Sequence, residues 1–479
     1  MNTESIRLLS PELLIASLAI VVFSIDLFKP SKSSDFLGRL TSLGVFIIMI
    51  FSLWLLSGKE TEIFEGILAI NSYTTFFKIL LMAIVIGISL ISITYTKSYN
   101  INTGEYYAII LLSLVGMMLL VSARELITAY ISIELMSFSL YVLVAIAKKD
   151  LKSNEAAIKY ILLGAFSSGL LLYGLVLIYG ISGTTSFSGI ETALSSIDSN
   201  LRILLALSMI GAGFGFKLAI IPFHMWAPDV YEGAPLPITA LIAIGSKIAI
   251  FALVLTLFSQ TFLPKIELWK PTISIIAAIT MVSGNILAIV QSNIKRMLAY
   301  SSIGQSGYML MGIICASSLG SSGLILHMTG YAATSMLVFS SIIIIHNNVL
   351  SDQIQDYAGI AKRNPLAAIC ITASLFSLAG LPFFAGFTTK FYLFAATAKE
   401  DMLWLAGIAA TASVISLYYY LRVIKEMYVS DPISSTKIYT TKTLSTFVLI
   451  MLAATIFIGL YPEPIVDIID TAVASYIFN

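Results

Sequence analysis

Charged residues and cysteines are scarce in this sequence of 479 residues. Only 11% of the residues are charged, whereas an average soluble domain carries about 25%, and 27 basic residues nearly balance 26 acidic ones. The near-neutral balance excludes a nucleic-acid binder that works through a basic face, and the scarcity of charge excludes a disordered chain. Cys315 and Cys370 lie in apolar runs, so we expect two core residues rather than a disulfide framework or a four-thiolate metal site.

Long apolar stretches dominate the sequence, and 58% of the residues are hydrophobic. A helix crosses the hydrocarbon layer of a bilayer with about 20 mainly apolar residues. The alternating pattern of a membrane β-barrel is absent, and the first stretch is longer than the core of a signal peptide, so we interpret it as a retained span. The sequence predicts an all-α polytopic membrane protein with about 14 transmembrane helices, which begin near Pro11, Phe36, Thr74, Tyr106, Glu125, Ser153, Leu201, Pro237, Pro271, Met297, Gly323, Pro365, Leu403 and Thr441.

The basic residues of the connecting loops predict the orientation in the membrane. If the loop with Lys29 and Lys32 is cytoplasmic, the loops on its side carry about twice as many lysines and arginines as those on the other side, as the positive-inside rule requires. We therefore expect both termini on the outer, periplasmic side of a bacterial inner membrane, with a plastid membrane as the less favoured location.

Charged residues within the predicted spans are the candidate functional residues. Each costs roughly 2.5–3.5 kcal/mol at mid-membrane on insertion scales and so needs a reason. Lys78 lies near the start of its span, where the simplest interpretation is that its stem carries the ammonium to the interface. Lys159 lies deeper, and a structural and a functional interpretation are equally supported. The other four, which have long apolar flanks on both sides, are Glu134, Lys217, Lys247 and Lys390.

A buried amine beside a carboxylate can act as a switchable proton carrier. Loss of hydration lowers the pKa of a lysine, and a neighbouring carboxylate raises it again. A lysine whose carboxylate moves away or becomes protonated therefore releases its proton, whereas an arginine would stay protonated. The alternative is a static ion pair that ties helices together. Three deep lysines for one glutamate leave an excess of base that such pairing does not need, which favours the functional interpretation.

Two overlong apolar runs are interrupted by glycine and proline. One spans residues 203–230, with Pro222 close to Lys217, and the other spans residues 366–398, with Pro382 ahead of Lys390. Backbone groups freed at membrane depth must be satisfied by protein or water, and paired interruptions indicate an inverted-repeat transporter with its site at the midplane.

The interrupted spans are the seventh and the twelfth, and this separation predicts two inverted five-helix repeats with discontinuous helices 7 and 12. We expect helices 1–3 in residues 1–104 and the first repeat, helices 4–8, in residues 105–260. The second repeat, helices 9–13, is expected in residues 261–430 and helix 14 in residues 431–479.

The remaining polar residues within spans carry weaker signals. His224, His327 and His346 are interpreted as satisfied or interfacial histidines rather than relay members. A polar cluster in span ten either holds water between two lysines or serves as helix-packing contacts, and it consists of Ser301, Ser302, Gln305 and Ser306. No dinucleotide fingerprint, P-loop, CxxC or paired-histidine haem motif is convincing, so we expect no cofactor bound by this chain itself.

Several segments resemble the antiporter-like membrane subunits of respiratory complex I, NADH:quinone oxidoreductase. They include residues 155–160 (EAAIKY), 214–217 (FGFK), 221–235 (IPFHMWAPDVYEGAP), 293–303 (NIKRMLAYSSI) and 385–387 (AGF). The DVYEGAP ending is typical of the subunit N branch, called subunit 2 in mitochondria. Gln305 departs from the family, which usually has histidine there, so a direct histidine step is not expected and water bound to Gln305 is the substitute.

The resemblance implies a proton-translocating membrane-arm subunit, in which quinone reduction elsewhere in the complex drives proton transfer along buried residues. It implies that Glu134 pairs with Lys217, that Lys247 is central and Lys390 terminal, and that Lys159 is a further relay member. His224, Ser302 and Gln305 are our secondary candidates. It also implies NADH, FMN, Fe–S clusters and quinone in partner subunits. The implied partners are other membrane-arm subunits, namely neighbouring antiporter-like subunits and the small subunit K, within a lipid bilayer and without nucleic acid.

Two other functions are compatible with the same residues. One is a subunit of a cation/proton antiporter or of a membrane-bound hydrogenase complex, which gene neighbourhood would distinguish. The other is a scaffold without transport, which predicts that replacing Lys217 leaves pumping intact.

Overall fold

The computed structural model describes residues 3–28, 34–98, 101–197, 200–432, 434 and 436–474. Lys29 and Lys32, used above for the orientation, lie outside these residues. The described part is almost entirely helical, with one short β-hairpin. Its first elements are α1 (Thr3–Leu8), α2 (Ser10–Phe28), α3 (Ser34–Leu56), β1 (Thr61–Ile63), β2 (Leu68–Ile70), α4 (Ser72–Ser98), α5 (Thr103–Ser122), α6 (Leu126–Val144), α7 (Leu151–Ser182) and α8 (Phe187–Ser196).

The central part of the chain contains the first interrupted helix and several departures from regular α-helix. Its helices are α9 (Asn200–Lys217), α10 (Trp226–Gly233), α11 (Leu236–Leu241), α12 (Lys247–Thr256), α13 (Ile266–Ile289), α14 (Ile294–Cys315) and α15 (Ser318–Val349). Turns of π-helix at Ile242–Ser246 and Leu257–Thr261 join α11 and α12 into one long helical segment, and a 3₁₀ turn at Leu263–Lys265 precedes α13.

The last part of the chain contains the second interrupted helix. A 3₁₀ turn at Ile354–Tyr357 leads into α16 (Ile360–Arg363), α17 (Pro365–Ala379), α18 (Ala385–Lys399), α19 (Leu403–Tyr428), α20 (Lys442–Leu460) and α21 (Glu463–Ala474).

The number and positions of the long helices agree with the sequence. In the described residues, 11 helical segments are long and apolar enough to cross a membrane. Together with α14 and the interrupted pairs α9–α10 and α17–α18, they are consistent with the fourteen predicted crossings. Helices α7 and α15, each 32 residues long, both precede an interrupted pair. That order suits two repeats, although the boundaries of the repeats stay a prediction.

Helix ends follow from local sequence. The Asn293 side chain accepts hydrogen bonds from the backbone amides of Lys295 and Arg296 and so caps α14. Asn364 caps α17, whose first residue is Pro365. Gly380 ends α17 in the left-handed conformation, with φ of +87°.

Some elements were not predicted because they lie outside the long apolar runs. They are the hairpin β1–β2, the ten-residue helix α8 and the amphipathic helix α21 that follows the last predicted span. Both cysteines are buried and free, as expected.

The helical segment from α11 to α12 forms the centre of the molecule. The whole of its most apolar window is buried inside the protein. Lys247 lies in the middle of this segment, so its amine is surrounded by other helices rather than by lipid.

Candidate functional site: a line of buried lysines

One face of α6 surrounds the ammonium group of Lys217. Glu134, Ser137 and Tyr141 share that face because positions three, four and seven apart lie on one side of a helix. Lys217 Nζ lies 3.9 Å from Glu134 Oε1 and donates hydrogen bonds to Ser137 Oγ (2.8 Å) and Tyr141 OH (3.3 Å). Ser168 Oγ of α7 donates to the same carboxylate oxygen at 2.6 Å. The structure therefore brings the predicted pair together, with 4% of the lysine side chain and 17% of the carboxylate side chain exposed.

The interruption after α9 leaves Lys217 as the last residue of a half-helix. The C-terminus of a helix carries partial negative charge, which favours a cation there. Freed backbone groups find side-chain partners: Ser306 Oγ donates to the carbonyl of Leu218 at 2.8 Å, and the amide of Ile221 donates to Thr280 Oγ1 at 3.2 Å. These freed backbone groups thus have hydrogen-bond partners within the protein, as their position at membrane depth requires.

Lys247 directly follows the π-helical turn Ile242–Ser246. Such turns are frequent at functional sites. Lys247 Nζ donates hydrogen bonds to the carbonyl oxygen of Ser302 (2.8 Å) and to Ser302 Oγ (2.6 Å), and the residue is only 2% exposed. The hydroxyl of Ser302 also lies 3.0 Å from Tyr331 OH. Within the described ranges no carboxylate lies at ion-pair distance, so every observed partner of this amine is neutral.

Lys390 of α18 reaches back to the end of α17. Its Nζ atom donates hydrogen bonds to the carbonyl of Leu378 (2.8 Å) and to Ser413 Oγ of α19 (2.9 Å). It also lies 4.4 Å from the centre of the Tyr308 ring, at a distance that allows cation–π attraction. The left-handed turn at Gly380 ends α17 and leaves the last carbonyls of the helix without helical partners. The Lys390 amine therefore lies next to a free backbone carbonyl, that of Leu378, which accepts its hydrogen bond.

Three side chains of α14 connect the surroundings of the three lysines. Ser302 binds Lys247, as described above. Ser306 Oγ bonds the carbonyl of Leu218, beside Lys217, and lies 3.2 Å from the carbonyl of Ser302. Gln305 Nε2 donates at 3.2 Å to the carbonyl of Leu378, which also accepts from Lys390. The polar cluster of span ten thus lies between the lysines and bonds directly to their neighbours.

Lys159 and His224 lie apart from this line. The Lys159 side chain is 41% exposed, and its Nζ atom pairs with Glu155 at 2.8 Å and with Asp229 at 2.7 Å. Asp229 also binds Arg296 of α14 at 2.6 Å, so Lys159 belongs to an ion-pair cluster of its own. His224 lies in the first interruption, where its buried Nδ1 atom has no hydrogen-bond partner in the described part of the chain. A relay role for either residue stays a prediction.

The interpretation of Lys78 as an interfacial lysine was wrong. Its Nζ atom lies 2.7 Å from Glu12 Oε1 of α2, and the two side chains are 1% and 3% exposed. The ammonium stays inside the protein because Glu12 of α2 supplies a buried carboxylate partner. The sequence held a signal that was missed, since Glu12 is an acid within the apolar helix Ser10–Phe28.

His327 lies next to Gln305, among the groups between the lysines, although nothing in the sequence indicated that position. It is buried and hydrogen-bonded, as expected of a satisfied histidine, but it lies well inside α15 rather than at the interface. Its Nε2 atom lies 3.2 Å from Gln305 Oε1 and its Nδ1 atom 2.9 Å from Thr389 Oγ1. Periodicity within one helix does not show which neighbouring helix a side chain meets.

Comparisons with known proteins agree with this architecture. Residues 123–416 match the family model described as the transmembrane part of NADH:quinone oxidoreductase/Mrp antiporter. The chain is 38% identical over 474 residues to NADH-quinone oxidoreductase subunit N of Desulforamulus reducens, covering 98% of this chain and 99% of that one.

Two solved structures have similar folds. A chain of respiratory complex I from Thermus thermophilus is 26% identical, with a TM-score of 0.80 and coverage of 95% of this chain and 98% of that chain. A chain of an archaeal membrane-bound sulfane sulfur reductase is 24% identical, with a TM-score of 0.87 and coverage of 99% and 98%, a likeness that concerns the fold alone.

Proposed function

The chain belongs to the NADH-quinone oxidoreductase subunit N family of multi-pass membrane proteins, and on that premise we propose that it carries protons along its buried lysines. Quinone reduction in other subunits drives the transfer. The observation that carries the proposal is the set of α14 side chains, Ser302, Gln305 and Ser306, which bond to Lys247 and to carbonyls beside Lys217 and Lys390.

Each of the three lysines has a partner that suits both protonation states. Lys217 bonds the hydroxyl of Ser137, Lys247 that of Ser302 and Lys390 that of Ser413. A hydroxyl accepts a hydrogen bond from an ammonium group and, after rotation, donates one to the lone pair of a neutral amine. A lysine that gains and loses a proton can therefore keep a hydrogen bond to its hydroxyl partner in both states. For Lys390 this requires the Ser413 hydroxyl to give up the bond that it donates to the carbonyl of Ala379 at 2.8 Å.

Glu134 supplies the switch at one end of the line. At 3.9 Å from Lys217 Nζ its carboxylate favours the charged lysine without forming a direct hydrogen bond with it. When Glu134 is protonated or moves away, the ammonium keeps only neutral partners in an apolar setting, and it releases its proton toward Ser306 and Lys247. Reversal of that movement recharges Lys217.

Redox groups and partners belong to the rest of the complex in this proposal. NADH, FMN, Fe–S clusters and quinone are held by other subunits, and neighbouring antiporter-like subunits together with the small subunit K complete the membrane arm. The chain lies in the bacterial inner membrane with both termini on the periplasmic side. A cavity of about 220 Å³, lined in part by Phe387, Phe391 and Ser413, leads to Lys390 from the surface of the chain, and an adjoining membrane subunit would cover it.

The experiment that tests this function measures proton translocation per electron by the purified complex in liposomes. Lys217→Ala and Lys247→Ala are each compared with Lys362→Ala, which removes an exposed lysine of the short helix α16. We expect assembled complexes of the first two variants to lose proton translocation, and the third to keep it. Normal proton-to-electron ratios in both buried-lysine variants would refute the proposal and support a scaffold.

The second candidate is a subunit of a cation/proton antiporter or of a membrane-bound hydrogenase. It is supported by the family model, whose description includes Mrp antiporters. In that case proton movement would follow a sodium gradient, or hydrogen oxidation, in the absence of quinone. The same liposomes, supplied with a sodium gradient and no quinone, distinguish the two.

A further inference from the structure

A cavity of about 330 Å³ lies between α9 and α13 and ends at the first interruption. Leu204 and Gly211 of α9 line one wall, Ile276 of α13 lines another, and residues 220–223 lie at its inner end. Leu204 and Phe223 are 40% and 36% exposed, so the cavity opens along the side of the chain. Because α9 lies in a membrane-spanning segment, this opening lies at the depth of the hydrocarbon layer.

The polar side chains of the lining have little need of a polar ligand. Ser208 Oγ donates to the carbonyl of Leu204 at 2.7 Å, and the indole Nε1 of Trp269 donates to the carbonyl of Phe262 at 2.9 Å. Among the described lining residues, Thr272 is the one other polar side chain. A hydrocarbon chain in this cavity would gain the close contacts that an unfilled groove lacks.

The cavity has the length of one acyl chain. Leu204 and Gly215 both line it and are eleven residues apart on α9, which is about 16 Å along the helix axis. One leaflet contributes half of a hydrocarbon layer about 30 Å thick, or about 15 Å. At Gly211, halfway along, no atom lies within 4 Å of the position that a Cβ would take, so the wall is open there.

A cation lies at the end of the cavity where α9 and α13 begin. Lys265 directly precedes α13, and its Nζ atom donates to the carbonyl of Ile197, three residues before α9, at 2.7 Å. Trp269, one turn after Lys265, lines the cavity, which places the ammonium near its mouth. In the described part of the chain no carboxylate lies at ion-pair distance from Lys265, whereas Lys270 is paired with Glu400 at 4.0 Å. The ammonium keeps two further donors, which suit a phosphate group.

We propose that this cavity and Lys265 form a binding site for an anionic phospholipid. The phosphate binds the ammonium of Lys265, and one acyl chain follows α9 inward to Pro222 and Phe223, where it packs against the first interruption. The isoprenoid tail of a quinone would fill the same groove but carries no phosphate for Lys265. The inference requires that the chain spans a bilayer, and it does not depend on proton transfer.

The test uses a photoreactive lipid and the purified complex. Phosphatidylglycerol with a diazirine at the end of one acyl chain is reconstituted with the complex and irradiated, and the labelled peptides are identified by mass spectrometry. We expect label on residues 220–223. Gly211→Leu fills the open wall and should lower that labelling several-fold. Gly407→Leu is the matched control, because it adds the same side chain at an exposed helical glycine where a Cβ also meets no atom within 4 Å.

The headgroup contact is tested with the same diazirine on phosphatidylcholine, which has no net charge. The wild type should prefer phosphatidylglycerol. Lys265→Gln should reduce that preference by about tenfold, as for loss of a hydrogen bond to a charged group, and Lys399→Gln, at an exposed lysine that ends α18, should not.

Several results would overturn the inference. Absence of label at residues 220–223, or equal labelling in Gly211→Leu and Gly407→Leu, would mean contact with bulk lipid only. Equal preference in the two lysine variants would remove the phosphate contact. Displacement of the label by a long-chain quinone, but not by unlabelled phosphatidylglycerol, would assign the cavity to a quinone tail. If Gly211→Leu fails to assemble, Ser208→Met narrows the same cavity and provides the same comparison.

Discussion

Gln305 and Ser306, neighbours on α14, donate hydrogen bonds to carbonyls at two different helix interruptions. Ser306 bonds Leu218 in the first interruption, and Gln305 bonds Leu378 at the second. An interrupted helix frees backbone carbonyls that must be satisfied at membrane depth. A single helix therefore contacts both breaks through two adjacent side chains.

Glu134→Gln keeps the size of the side chain and removes its charge. We expect the assembled complex to lose most proton translocation, because Lys217 then has only neutral partners and no switch. Proton uptake per electron in liposomes measures the effect. Glu463→Gln, at the exposed start of α21, is the matched control, and an equal ratio in the two variants would show that the Glu134 charge is not needed.

Ser302→Ala removes the hydroxyl that bonds Lys247 but leaves the carbonyl that also bonds it. The neutral amine then lacks a donor, at a cost of about 1–3 kcal/mol for an unsatisfied buried group. We predict a fall of roughly tenfold in proton translocation, by the relation of free energy to rate. Ser302→Thr keeps a hydroxyl and should recover part of the rate. If the alanine variant pumped as well as the threonine variant, the proposed role of the hydroxyl would be wrong.

The buried pair of Glu12 and Lys78 predicts a strong dependence of each residue on the other. Glu12→Leu or Lys78→Met leaves an unpaired buried charge, which costs about 3–5 kcal/mol, whereas removing both charges is often neutral or stabilising. We expect poor assembly of each single variant and recovery in the double variant. Native gels and the thermal inactivation of the membrane complex measure this. Equal stability of the three variants would mean that the pair contributes little.

Lys159→Ala should have a smaller effect than Lys217→Ala. The side chain of Lys159 is 41% exposed in this chain, and exposed salt bridges contribute about 0–1 kcal/mol to stability. Asp229 also keeps Arg296 as a partner when Lys159 is removed. We expect less than about a fivefold change in proton translocation, which is what that free energy allows. A complete loss of pumping would show that Lys159 is a member of the relay after all.

The sequence was sufficient for the long helices and for three of the buried lysines, but not for the buried pair of Glu12 and Lys78. Long apolar runs determine where membrane helices form, and a glycine or proline next to a buried lysine shows where a helix breaks. These signals are local, and they are enough to identify Lys217, Lys247 and Lys390 as buried lysines without knowledge of the contacts between helices.

The contacts between helices could not be predicted in the same way. Most spans are apolar on every face, so periodicity does not show that His327 of α15 meets Gln305, or that Glu12 of α2 meets Lys78. The π-helical turn before Lys247 was not predicted from the sequence either. Each of these features required the structure.

Replacement of Lys247 by arginine tests the central claim most directly. Arginine keeps a positive charge among the same neighbours but does not release its proton in a protein. We predict that the assembled Lys247→Arg complex translocates protons as poorly as Lys247→Ala, measured as protons moved per electron in liposomes. A wild-type ratio in the arginine variant would show that a fixed charge is enough, and that this lysine does not carry the proton.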